Sequence, residues 1–70
     1  MATLTAVVHE EDGLFVATCP EVGTTSQGAS FEEAVANLRE ATTLYLEEFP
    51  LPRLGRSITT TFEVDAPVAA

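Results

Sequence analysis

Asp12-Gly13-Leu14-Phe15-Val16-Ala17-Thr18-Cys19-Pro20-Glu21-Val22, followed by Ser26-Gln27-Gly28-Ala29-Ser30-Phe31-Glu32-Glu33-Ala34, is the stretch that decides the fold of this 70-residue chain. Asp12-Gly13 supplies the positive φ angles that a tight hairpin demands. Leu14 to Cys19 reads as the returning strand, ended by Pro20, which has no backbone donor to give a ladder. Glu21 to Gly23 turns the chain again, and Thr24 to Gly28 forms a shorter third strand. Ser30 then has the position of a helix N-cap, and Glu33 three residues on completes a capping box. Glu32 and Glu33 also fall in the first turn, where the helix dipole favours negative charge.

Upstream, Leu4, Ala6 and Val8 alternate with Thr5, Val7 and His9, so a first strand is expected over Thr3 to Glu10. Downstream, Phe31, Ala34, Val35, Leu38, Ala41, Thr42, Tyr45 and Phe49 recur at three- and four-residue steps. That spacing is the apolar stripe of a helix lying on a sheet, with the ring of Tyr45 against the strands. Leu44 points away from the stripe and Leu46 lies at its rim. Pro50 and Pro52 stop the helix, and Leu51 to Gly55 is a short connection. Ser57 to Val64 alternates once more, with Ile58, Thr60, Phe62 and Val64 on one face and Thr59, Thr61 and Glu63 on the other. A fourth strand is expected there.

The fold class is therefore α+β, with element order β-β-β-α-β. A right-handed crossover would lay the last strand parallel to the first, giving a four-stranded mixed sheet of order 3-2-1-4. One helix covers one face and leaves the other open or free for a second subunit. Residues 1–65 make a single domain and 66–70 a loose tail.

Composition narrows the function. Eleven acidic residues stand against three arginines, with no lysine, for a formal charge of −8. Nucleic-acid affinity comes largely from Lys and Arg neutralising phosphates, so direct binding to nucleic acid is not expected. A basic protein surface is the better electrostatic match; the plain alternative is that acidity keeps a small protein soluble. A chain this short buries only roughly 60% of its unfolded surface. Cys19 is the lone cysteine, so no internal disulfide can staple the fold, and a homodimer or higher homo-oligomer is expected. The lone thiol fits a reducing cytoplasm. Neither a signal peptide nor a membrane-spanning run is legible.

No constellation for catalysis is visible. Glu10, Glu11 and Asp12 form the densest carboxylate cluster, but consecutive residues at a hairpin tip alternate in direction and do not converge on a cation. His9 has no orienting acid or companion ligand fixed by spacing. Ser26, Ser30 and Ser57 have no matching base. Gly23, Gly28 and Gly55 make no phosphate loop. Arg53 and Arg56 balance local carboxylates more readily than they form an anion site. No enzyme activity, metal or cofactor is expected.

Taken in order, Asp12-Gly13 with Phe15-Val16-Ala17, Pro20-Glu21-Val22, Ser26-Gln27-Gly28 and Ser30-Phe31-Glu32-Glu33-Ala34 resemble the core of HicB-like antitoxins. These are the strand-rich partners of small RNA-cleaving HicA-type toxins. The resemblance covers the hairpin, third strand and helix well, and the final strand acceptably. It implies a partial ribonuclease-H-like fold without nuclease activity, since Thr3 to His9 carries no carboxylate for metal ions. Two departures stand out. Gly23-Thr24 replaces the proline, glycine and cysteine usual after the aliphatic residue. No DNA-binding segment is legible after Val64, so operator binding is not carried over. The function implied is neutralisation of a small basic toxin by occlusion, with Glu10, Glu11, Asp12 and Glu21, on loops at strand ends, as the contact residues. The alternative is a stand-alone oligomeric scaffold or small-ligand binder that keeps the fold without a toxin.

Overall fold

Three antiparallel strands and one helix form the architecture in the computed structural model, which describes residues 2–50 and 57–67. Strand β1 spans Val7–Glu11, β2 Leu14–Cys19 and β3 Thr24–Gly28, and helix α1 spans Phe31–Glu48. The sheet order is β1-β2-β3, with both pairings antiparallel.

The first hairpin follows from two residues. Asp12 has φ 53° and Gly13 φ 78°, and Glu11 pairs directly with Leu14 across this two-residue loop. Positive φ at both positions is what a twist-matched hairpin turn needs. The second reversal uses Gly23 at φ 92°, whose amide donates to the Cys19 carbonyl at 2.7 Å.

Helix α1 begins where expected. Ser30 has extended backbone, and its hydroxyl accepts from the Glu33 amide at 3.1 Å. The Glu33 carboxylate reaches back, but to the amide of Ala29 at 3.0 Å, one residue before the cap. The helix closes with the Phe49 amide donating to the Tyr45 carbonyl at 2.8 Å, immediately before Pro50.

Register fixes which side of the sheet meets the helix. Val8, Ala17 and Ser26 lie opposite one another and share a face, as do Glu10, Phe15 and Gly28. On that face Ala17 and Cys19 are buried against Ala34 and Leu38, with Leu4, Val8, Phe15 and Val22 packed around them. Small residues dominate the centre because the helix approaches closely. A Cβ on Gly28 would lie 2.6 Å from the Ala34 nitrogen. Two polar ties complete the join: Thr24 and Thr42 share a 2.6 Å hydroxyl hydrogen bond, and the Asn37 amide donates to the Gln27 carbonyl at 2.9 Å.

Two expectations are revised. Strand β1 starts at Val7 rather than Thr3, because its partner strand runs out. Val7 faces Thr18, and beyond Cys19 comes Pro20, so the Thr5 amide bonds to the Glu21 side chain instead. The helix stripe is also only partly covered. Eighteen residues make a rod of about 27 Å, whereas strands of five or six residues reach only roughly 17–20 Å. The last turn therefore overhangs, and Tyr45 and Phe49 stay exposed, stacked on each other with ring centroids 4.9 Å apart. The Tyr45 ring, expected against the strands, is thus not fully covered by them.

Ser57 to Val64, expected as a fourth strand, are not shown in a ladder: among the described residues the sheet has three strands. Ile58, Phe62 and Val64 are 79%, 85% and 70% exposed, so the apolar face expected to be buried is bare. The radius of gyration, 14.3 Å, exceeds the roughly 11 Å of a compact chain of this length. The expected connection Leu51 to Gly55, and the end of the tail from residue 68, lie outside the described residues.

Candidate functional site

The four acidic residues singled out from sequence occupy opposite ends of the sheet. Glu10 and Glu11 are strand residues of β1, not loop residues, and Asp12 opens the turn. All three are exposed. Because side chains alternate along a strand, Glu10 lies on the helix side, opposite Phe15, and Glu11 on the other. The tip thus presents negative charge to both faces. His9 shares the Glu11 face, with its Nε2 3.4 Å from a Glu11 carboxylate oxygen and both side chains largely in solvent. Such an exposed pair adds little stability.

Glu21 sits beyond the far end of β2, half-buried, and is committed to its own chain. Its carboxylate accepts from the Thr5 hydroxyl at 2.6 Å, the Thr5 amide at 3.0 Å and the Cys19 thiol at 3.4 Å. The Thr5 hydroxyl, then the Thr5 amide, with smaller help from its own amide and the Ser57 hydroxyl, lower the Glu21 carboxyl from about 4.5 to about 2; partial burial opposes this. Hydrogen bonds to a charged form favour that form. One side chain thereby fastens the segment before β1 to the end of β2. Cys19 is buried, as its strand position suggested.

No group of three or more His, Cys, Asp or Glu side chains that could hold a metal ion occurs among the described residues. Every buried side-chain nitrogen or oxygen among them has a hydrogen-bond partner. Among the described residues, no helix is long and apolar enough to cross a membrane.

Sequence reasoning missed a concave feature. A groove of about 440 Å³ runs between the segment before β1 and the flank of α1. Leu4 and Ala6 form one wall, Val35, Leu38, Thr42 and Leu46 the other, and Cys19 contributes to the lining. Its lining is mostly apolar, and it lies beside the segment that leads into β1. The one sequence signal was Leu46, which fell at the rim of the stripe.

No family model, curated protein or solved structure matches this chain.

Proposed function

We propose that this chain is an antitoxin-like binding module of the HicB type, which neutralises a small basic HicA-type RNA-cleaving toxin by covering its RNA-binding face. The observation that carries the reading is the β1–β2 tip, where Glu10, Glu11 and Asp12 stand exposed. A surface that competes with RNA for a basic face should be acidic and reach outward on more than one side, and this tip does both. Complementary fields of this kind raise encounter rates and exclude wrong partners. The role is one of binding, without catalysis or cofactor, in the cytoplasm. The ordered series of hairpin, strand and cap residues supports the HicB assignment. The alternation of Ile58, Phe62 and Val64 supports a fourth strand beside β1, in the order 3-2-1-4.

A titration of a purified basic HicA-type ribonuclease with the full chain tests this, scored by protection of a labelled RNA. Inhibition should weaken at least tenfold in the combined Glu10→Gln, Glu11→Gln, Asp12→Asn variant and fall with added salt, as screened charges require. Inhibition that is absent, or indifferent to that variant, refutes the reading. The groove favours a second reading, a stand-alone oligomeric scaffold or small-ligand binder, in which the acidic tip serves solubility alone.

A further inference from the structure

We propose that Ser57–Val64 of one copy pairs along the free β1 edge of a second copy and lays Ile58, Phe62 and Val64 into that copy's apolar groove, the exchange being reciprocal. The inference rests on the four-stranded reading of the sheet and is independent of the toxin-binding one.

Three observations carry it. The segment has the pattern of a half-buried strand, apolar on one face and Thr59, Thr61 and Glu63 on the other, yet its apolar face is bare in its own protomer. An antiparallel sheet with one covered face wants that alternation. A receiving site exists where such a strand would go: among the described residues β1 has an unpaired edge, and the groove of about 440 Å³ on the segment leading into it is lined by Leu4, Val35, Leu38 and Leu46. Ser57 is half-buried, while Ile58, Phe62 and Val64 stand exposed. A segment that leaves the body after Ser57 is placed to reach a neighbour.

The occupant is a second copy because the arm and the groove belong to the same sequence, so one twofold operation satisfies both at once. Size agrees. A buried phenylalanine alone covers about 150–250 Å², and two eight-residue arms with their receiving surfaces approach the roughly 1,200–2,000 Å² of a stable interface. The other edge is less available, since Asn37 of the helix already bonds to the Gln27 carbonyl of β3.

The test uses the full chain in two parts. Light scattering should give about twice the 7.4 kDa of one chain, and Ile58→Asp with Phe62→Asp should raise the dimer dissociation constant 100-fold or more. Isotope-filtered NMR on a mixture of labelled and unlabelled wild-type copies should give contacts between the Phe62 ring and the Leu46 and Leu4 methyls across copies, and it does not depend on the variant folding. A dimer without those contacts overturns the exchange. A monomer in which the same contacts arise within one chain overturns the exchange while keeping the fourth strand. A monomer whose residues 58–64 exchange amide hydrogens freely overturns both.

Discussion

Replacing Gly28 by alanine should loosen the whole molecule, although only one methyl is added. Gly28 lies at the end of β3, buried under the first turn of α1. A Cβ there would stand 2.6 Å from the Ala34 nitrogen, 2.9 Å from the Glu33 carbonyl carbon and 2.9 Å from the Glu33 Cβ. Real Cβ atoms essentially never come within 3.0 Å of such neighbours, so the helix start must retreat by at least about 0.4 Å. The nearest obstructing atom is backbone and cannot rotate aside. That turn is pinned by Ser30 and Glu33, and moving it lifts Ala34 and Leu38 from Ala17 and Cys19.

Overpacking of this kind costs about 1–3 kcal/mol. Against it stands the backbone entropy alanine saves in the unfolded chain, about 0.4–1 kcal/mol. Gly28 needs no left-handed backbone, so no conformational penalty is added. The net loss should be about 1–2 kcal/mol, or roughly 4–16 °C in Tm for a domain of this size. Thermal and urea unfolding followed by circular dichroism, at one fixed protein concentration, would measure it. Gly23→Ala is the companion: its Cβ would meet nothing within 4 Å, and only its φ of 92° is at issue. A Gly28→Ala protein as stable as wild type would refute the close-approach argument.

Other expectations are more local. Ser30→Ala should cost about 1 kcal/mol by stranding the Glu33 amide, read from the same unfolding curves; an unchanged midpoint would mean that water caps the helix equally well. Thr42→Val keeps the shape but removes the partner of the Thr24 hydroxyl, and should cost about 1–3 kcal/mol; a gain in stability would place that hydroxyl in contact with solvent. Glu21 makes acid sensitivity specific. Its folded carboxyl titrates near 2 against an ordinary 4.5, so its stabilising effect is present in full above pH 4.5 and is lost as pH falls toward 2. Glu21→Gln should therefore lower Tm at pH 6 and flatten its decline between pH 4.5 and 2. Parallel Tm-against-pH curves for the two proteins would contradict the hydrogen-bond assignment.

Features set by short-range chemistry were readable from the residues. Asp12-Gly13 could make hardly any other turn, Ser30 with Glu33 marked the helix start, and the bounds of β2 and β3 followed from Pro20, Gly23 and Gly28. Features decided by what lies opposite were not. Thr3 to Ala6 alternate like a strand, but whether they join a ladder depends on a partner strand that stops at Cys19. Tyr45 and Phe49 continue a sound apolar stripe past the end of a sheet whose length that stripe does not encode. Ser57 to Val64 illustrates the same gap: alternation states that a face should be covered, not by which chain. At the candidate site, the exposure of Glu10, Glu11 and Asp12 was legible in their run of charge. The internal engagement of Glu21 was not, because Thr5 lies sixteen residues away.

The charges along β1 bear on how assembly ends. Of its five residues, His9, Glu10 and Glu11 are polar and exposed, which leaves the half toward Leu4 and Val8 as the hospitable part of that border. A strand arriving there is admitted in a narrow range of alignments and stops short of the turn. With the Gln27 carbonyl on the opposite border already bonded to Asn37, a pair of molecules that had traded segments as proposed would offer a third molecule a poorer template. Such growth would favour stopping at two.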